Sequence, residues 1–225
     1  MLHKQEFNIL TSLEANQNEK LTQKELAEVL KFSVGTVNKL CNELEEKGFI
    51  ENKQITKKGL AALEPYRVKR AIFIAAGFGS RLVPITLNTP KPLVRVKGVR
   101  IIVRGYLAEQ FDQLKYKYPM VKFVENPLYN EANNISSVMC IRYLLSNAYI
   151  LEADLLLSNP KLITKYQYSS NYLGVPTEKT DDWCFFMEGD RIKRIGVGGV
   201  NCYHMFGVSY WTEDDGKKLC HHVEQ

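Results

Sequence analysis

A glycine-rich turn flanked by two cations is the stretch of this sequence best suited to chemistry. Ala71–Ala75 is a short apolar run of the kind that forms a buried strand. It passes into Ala76-Gly77-Phe78-Gly79-Ser80-Arg81-Leu82, and Thr89-Pro90-Lys91-Pro92-Leu93 follows. Glycines at a strand end let backbone N–H groups approach a ligand closely. Arg81 and Lys91 set fixed positive charge beside those donors, which makes a site for a polyphosphate. Two better-known phosphate loops do not fit. A Walker loop needs Lys-Ser/Thr after its last glycine, where Ser80-Arg81 stands. A Rossmann fingerprint needs a third glycine, where Leu82 stands.

The elements that must hold this loop follow from composition and pattern. The chain has 225 residues, enough for one large domain or two small ones. Its 45% hydrophobic and 24% charged residues are ordinary for a globular protein. No apolar run approaches the length of a membrane helix. The start, Met1-Leu2-His3-Lys4-Gln5-Glu6, lacks the basic-then-apolar order of a secretory signal, so a cytoplasmic protein is expected. Cys41, Cys140, Cys184, Cys202 and Cys220 are scattered without a C-x-x-C pair, which argues for reduced thiols rather than disulfides or zinc. The net charge of +5 permits anionic ligands without demanding nucleic acid.

The pattern changes near Glu64–Arg70, which gives an expected domain at 1–63, a linker at 64–70 and a second domain at 71–225. In the first, Thr22 and Glu25 are spaced as a capping box ahead of Leu26, Ala27 and Leu30. Ser33 caps the next helix, whose apolar stripe is Val34, Val37, Leu40 and Leu44. Gly48 stops it, Phe49-Ile50 and Gln54-Ile55-Thr56 read as wing strands, and 57–63 reads as a closing helix. This pattern resembles the winged helix-turn-helix modules of bacterial regulators, which usually bind DNA. Thr36, Asn38, Lys39 and Asn42 are the candidate DNA contacts. Glu43, Glu45 and Glu46 would repel phosphates if they faced the groove, so a docking module without nucleic acid is the alternative. From Val68 onward strand and helix patterns alternate. Strands are expected at 71–75, 101–103, 121–124, 148–151, 183–187, 192–197 and 205–211, and helices at 106–117 and 135–145. That order predicts an α/β sheet covered by helices on both faces.

The turn is similar to the signature of nucleotidyltransferases that join a nucleoside triphosphate to a phosphorylated sugar or alcohol. That family reads Leu-Ala-Ala-Gly-x-Gly-x-Arg-Leu-x-Pro-x-Thr, then Pro-Lys-Pro-Leu, and Pro84, Thr86, Pro90 and Pro92 also fall in register here. The resemblance implies a Rossmann-like nucleotidyltransferase domain with a mixed, mostly parallel sheet. It implies a nucleotide site at Ala75, Ala76, Gly77, Gly79, Ser80 and Arg81. It also implies catalytic roles for Arg81, on the pyrophosphate side, and Lys91, on the incoming or α-phosphate. The family's apolar-x-Ala-Asp aspartate, which holds Mg2+, corresponds to Asp154 in Ile150-Leu151-Glu152-Ala153-Asp154. Magnesium prefers hard oxygens and often takes only one or two carboxylates, so one carboxylate plus triphosphate oxygens is enough. A cap or turn role is the alternative for Asp154, and Glu152 is expected to point away from the site. The reaction implied is attack on the α-phosphorus with pyrophosphate leaving. A phosphomonoester is already mostly ionised at neutral pH, so no general base is needed. Alignment and charge neutralisation supply the catalysis.

Asn126–Ser137 narrows the acceptor. Its Asn133-Asn134-Ile135-Ser136-Ser137 stretch looks like the cholinephosphate cytidylyltransferase branch, which implies Asn134 and Ser136 at the nucleotide and Asn133, with Lys91, at the acceptor. The branch also has an acidic-Trp-apolar strand, matched by Asp181-Asp182-Trp183-Cys184-Phe185, and a Gly-Val-Ser-aromatic-Trp strand, matched by Gly207–Trp211. A quaternary ammonium donates no hydrogen bonds, so aromatic faces and carboxylates must hold it. Trp183 with Asp181 or Asp182, and Trp211, are the candidates, with a place in the sheet core as the alternative for both tryptophans. His204, His221 and His222 read as surface or structural residues. The expected function is Mg2+-dependent conversion of CTP and phosphocholine to CDP-choline and pyrophosphate. The alternatives are a sugar-1-phosphate nucleotidyltransferase using UTP or dTTP, and a transcription regulator whose transferase-like domain senses a nucleotide or choline compound. Two departures from the family stand out: a helix expected after Ile102 is absent, and a second acidic metal ligand is expected beyond Gln225.

Overall fold

The computed structural model describes residues 1–17, 21–77, 98–155 and 157–223. The chain divides into two units, Met1–Arg67 and Val68–Gln225. The first contains α1 (Lys4–Ala15), α2 (Gln23–Leu30), α3 (Val34–Glu46), a two-stranded wing of β1 (Ile50–Glu51) and β2 (Gln54–Ile55), and α4 (Lys57–Leu63). Helix starts fall at residues that can cap them. Thr22 Oγ1 accepts from the Glu25 N–H at 3.2 Å, and Glu25 Oε2 accepts from the Thr22 N–H at 2.7 Å, as the spacing requires. Ser33 Oγ accepts from the Thr36 N–H at 3.1 Å and Thr56 Oγ1 from the Gly59 N–H at 3.1 Å. Asn52 and Lys53, at φ 49° and 62°, make the wing turn in the left-handed region that tight hairpins need. Ile9, Leu10, Leu26, Val37, Leu44, Ile50 and Leu63 are its buried core. Val34, expected in the α3 stripe, is exposed, and Cys41 takes the buried place instead. As the first residue of α3, Val34 precedes the turn that packs on the core.

The second unit is built on one six-stranded sheet of β3 (Arg70–Ala75), β4 (Val99–Arg104), β5 (Val121–Glu125), β6 (Ala148–Glu152), β7 (Asn171–Glu188) and β8 (Arg191–Trp211). The order is β5-β4-β3-β6-β8-β7. The first four are parallel, β8 runs antiparallel to β6, and β7 antiparallel to β8, giving the mixed, mostly parallel α/β sheet. β3 shows why its sequence is apolar throughout. Ile72 and Ile74 pack with Ile101, Val103 and Leu145 on one face, and Ala71 packs with Tyr149, Leu151 and Tyr210 on the other. A strand buried on both faces has no polar alternation. The chain lays β4 and then β5 on one side of β3, and returns to place β6 on the other side. This reversal opens a crevice beyond the carboxyl ends of β3 and β6, where ligands bind in sheets of this kind.

Three expected elements differ. The helix expected at 106–117 is a 3-10 turn at Ala108–Asp112 followed by α5 (Gln113–Lys117). Leu107 stands at φ 50°, which blocks a helix from starting before it. The helix expected at 135–145 is α6 (Asn134–Cys140), then a 3-10 turn at Arg142–Leu144. The three late strands are two long ones, β7 and β8, joined at Gly189-Asp190 and offset by bulges between Thr180 and Met187. The chain closes on α7 (Glu213–Val223). Among the described residues no helix is long and apolar enough to cross a membrane.

Candidate active site

The crevice assembles from the ends of neighbouring strands. Ile74 lies opposite Glu152 in the β3–β6 ladder, and the Ala153 N–H donates to Ile74 O at 3.0 Å. That bond carries the pairing one residue past the ladder, to Ala153, directly before Asp154. On the other side the Tyr106 N–H donates to Ala76 O at 3.1 Å, fixing the carbonyl at the root of the glycine turn. Ala76 is buried, and among the described residues a side chain added at Gly77 would meet nothing within 4 Å. Asp154 is exposed at the same edge. Gly79, Ser80, Arg81 and Lys91 lie outside the described residues.

The loop after β5 supplies the next wall. Asn133 caps α6, its Oδ1 accepting from the Ile135 N–H at 3.0 Å. Asn134 is exposed and donates from Nδ2 to Glu152 Oε1 across a long 3.4 Å. Ser136 is buried, and its hydroxyl is used within the loop, accepting from Asn126 Nδ2 at 2.9 Å and donating to Asn133 O at 2.9 Å. It supports the loop from behind. Asn126, which sequence reasoning passed over, holds this turn together. It is buried, also donates to Ser137 Oγ at 3.1 Å, and accepts from the Leu128 N–H at 3.0 Å.

Glu152 departs from the expectation that it points away. Its Oε1 accepts from Asn134 Nδ2 on the loop after β5 at 3.4 Å, and its pKa is raised, by burial first and then by the like charges of Asp154 and Asp182. Gly207, at φ 60°, lies against it: a Cβ there would stand 2.6 Å from Glu152 Oε2. Burial first, and then the charge of Glu152, raise the phenol pKa of Tyr172.

Asp181 and Asp182 are exposed on β7 beside Trp183, whose N–H donates to Asp182 Oδ1 at 2.6 Å. Trp183 is 57% exposed, so its indole lies outside the sheet core. Trp211 is different. It lies opposite Ala148, at the start of β6 and away from the crevice end, and its Nε1 donates to Ser209 Oγ at 3.0 Å. The structure does not bring it to the other site residues. Among the described residues no three His, Cys, Asp or Glu side chains are grouped for a metal ion. Asp154 with Glu152 nevertheless offers the hard oxygens that magnesium accepts alongside phosphate oxygens. In the first unit, Asn38, Lys39 and Asn42 are exposed on α3 and Thr36 is half-buried; Asn38 Oδ1 accepts from Gln23 Nε2 at 3.1 Å.

Comparison with known proteins gives this geometry its context. The chain is 39% identical to a 2-aminoethylphosphonate cytidylyltransferase of Lancefieldella rimae over 170 residues, 66% of this chain and 69% of that protein. The chain belongs to the cytidylyltransferase family. A choline-phosphate cytidylyltransferase of Streptococcus pneumoniae is 33% identical to this cytidylyltransferase over 175 residues, 69% of this chain and 76% of that protein. A solved structure of the CTP:phosphocholine cytidylyltransferase from Streptococcus pneumoniae matches with a TM-score of 0.59 at 34% identity, covering 70% of this chain and 76% of that one. Residues 2–51 match the family model described as winged helix-turn-helix DNA-binding. This cytidylyltransferase therefore carries a winged-helix unit ahead of its transferase unit.

Proposed function

We propose that this cytidylyltransferase transfers CMP from CTP to a short phosphate or phosphonate that ends in an ammonium group, phosphocholine or 2-aminoethylphosphonate, and releases pyrophosphate. The observation that supports this reading is the 3.0 Å bond from the Ala153 N–H to Ile74 O, which ties the residue before Asp154 to the strand that leads into Gly77. An acceptor phosphoryl oxygen attacks the α-phosphorus of CTP, and the bond from that phosphorus to the pyrophosphate oxygen breaks. The Gly77 backbone receives phosphate oxygens, and Arg81 and Lys91 neutralise the leaving and incoming phosphates. Asp154 would hold Mg2+, which when bound offsets charge on the triphosphate. Asn133 and Asn134 line the wall facing Glu152, and Trp183 with Asp181 and Asp182 faces the cationic end of the acceptor. Names of related proteins support CTP as donor and support both acceptors.

Pyrophosphate release tests the reading, with each of the four common NTPs paired with phosphocholine, 2-aminoethylphosphonate and glucose 1-phosphate. Release only with CTP and an ammonium-bearing acceptor is expected. Release with glucose 1-phosphate and UTP would overturn it. A second role is favoured by the exposed polar face of α3: the winged-helix unit binds duplex DNA through Asn38, Lys39 and Asn42, with Thr36 at the edge.

A further inference from the structure

We infer that Cys184 and Cys202 are an oxidation site: a hydroperoxide joins them in a disulfide that braces the β7–β8 ribbon, and a dithiol reductant releases it. The inference stands apart from the transfer reading, because its readout is the state of two sulfurs and not turnover.

Register, packing and a glycine place the two sulfurs together. Cys184 and Phe185 of β7 pair with Gly196 and Ile195 of β8, and also with His204 and Tyr203, so the ribbon doubles back on itself. Cys184 lies opposite His204, and Cys202, two residues along the same strand, faces the same side. The stacked rings of Phe185 and Tyr203, with centres 5.5 Å apart, hold the two stretches in that register. Gly199 shows how close the sulfurs come. A Cβ there would stand 3.0 Å from Cys184 Sγ and 3.0 Å from Cys202 Sγ, so both flank one small space. The left-handed φ of this turn belongs to Gly198, at 72°, so the missing side chain at Gly199 serves to leave room. The thiols share a hydrogen bond, and both cysteines are buried and free.

The span is within reach. Diagonal neighbours on a sheet have Cα atoms about 7–8 Å apart. A disulfide takes up to about 7 Å, so closing the bond draws the two stretches slightly together. The ribbon is free to make that shift. Among the described residues β8 pairs with β6 through Val208, Ser209, Tyr210 and Trp211 alone, and the stretch before them is held by the ribbon itself.

Burial first, and then Cys202, push the Cys184 thiol up, against the opposing pull of the Arg194 guanidinium. Buried, protonated thiols react slowly, so oxidation follows local opening of the ribbon. One sulfur attacks a peroxide oxygen, the O–O bond breaks, and an alcohol or water leaves a sulfenic acid behind. The second sulfur attacks the first, the S–O bond breaks, the S–S bond forms, and water leaves. Two electrons pass from the sulfur pair to the peroxide, and both thiol protons leave in the alcohol and water. The neighbouring thiol thus intercepts the sulfenic acid before a further oxygen is added.

The test treats the folded full chain with excess hydrogen peroxide, blocks the remaining thiols, and maps the peptides by mass spectrometry. A Cys184–Cys202 linked peptide is expected as the main product, lighter than its two thiol peptides by two hydrogens. Two of the five thiols should be lost and then recovered with dithiothreitol. A variant carrying Cys41→Ala, Cys140→Ala and Cys220→Ala should give the same linked peptide. Recovery of Cys184 and Cys202 as thiols after prolonged exposure would overturn the inference. Oxygen added to either sulfur, or linkage of either to another cysteine, would overturn it too, as would a linked peptide that forms only in the urea-unfolded chain.

Discussion

At the scale of single residues, the proposed site separates exposed groups from buried ones. Asp154 is exposed at the crevice, whereas Asn126 is buried and bonded to Ser136, Ser137 and Leu128. The two should fail differently. Asp154→Asn should leave thermal stability near wild type and lower the rate of pyrophosphate release by about a hundredfold or more, since it removes charge from the reacting centre. A melting curve and a rate on the same preparation check this; a rate within threefold of wild type would remove Asp154 from the chemistry. Trp183 is the other exposed candidate, and its indole carries no structural burden that would confuse the result. Trp183→Ala should raise the acceptor Michaelis constant by roughly three- to thirtyfold, the range of a cation–aromatic contact, with that for CTP unchanged. Equal constants for the acceptor in variant and wild type would return Trp183 to a surface role.

At the scale of elements, the loops beyond the strand ends are fixed by polar staples rather than by apolar packing. Arg104 ends β4 and binds Asp112 at 2.8 Å, Glu125 at 2.7 Å and the Ala108 carbonyl at 2.9 Å, with its guanidinium 4.3 Å from the centre of the Phe123 ring. This pins the turn that donates from Tyr106 to Ala76. At the end of the chain, Asp215 accepts from Ser170 Oγ at 2.6 Å and from Thr212 Oγ1 at 3.1 Å, tying the first turn of α7 to the segment before β7. The Ser170 hydroxyl is the largest influence on Asp215; with help from Lys218 and Thr212 it outweighs burial and holds the carboxyl pKa below its usual value. A folded pKa below the unfolded one adds stability that is fully present above the unfolded pKa and is lost as pH falls through the folded value. Asp215→Asn should therefore cost about 1 kcal/mol at neutral pH, a modest figure because the group is partly exposed. The difference should shrink below the ordinary aspartate pKa of about 3.9 and vanish in stronger acid. Denaturant melts at several pH values measure it; a gap that persists at low pH would refute the staple.

At the scale of the whole molecule, the chain forms two units, each with buried apolar residues of its own. Reading Thr22–Glu25, Ser33 and Thr56 as caps located the helices of the first unit, because capping depends on neighbours in sequence. The same locality made the Gly77 turn, the Asp154 strand end and the α/β alternation legible in advance. What stayed hidden depends on residues far apart in the chain. Glu152 acquired its place from Gly207 and Asp182, Trp211 was carried to the wrong end of β6 by the β6–β8 register, and Asn126 reached Ser136 only once the loop had closed. By itself the sequence determined that one apolar strand runs into a glycine and another into an aspartate, since each is a short run of residue types. Only the tertiary structure decided that Glu152 stands near Asp182 and that Trp211 lies at the far end of β6, because strand register and the reversal of strand order between β3 and β6 join segments that no local pattern connects.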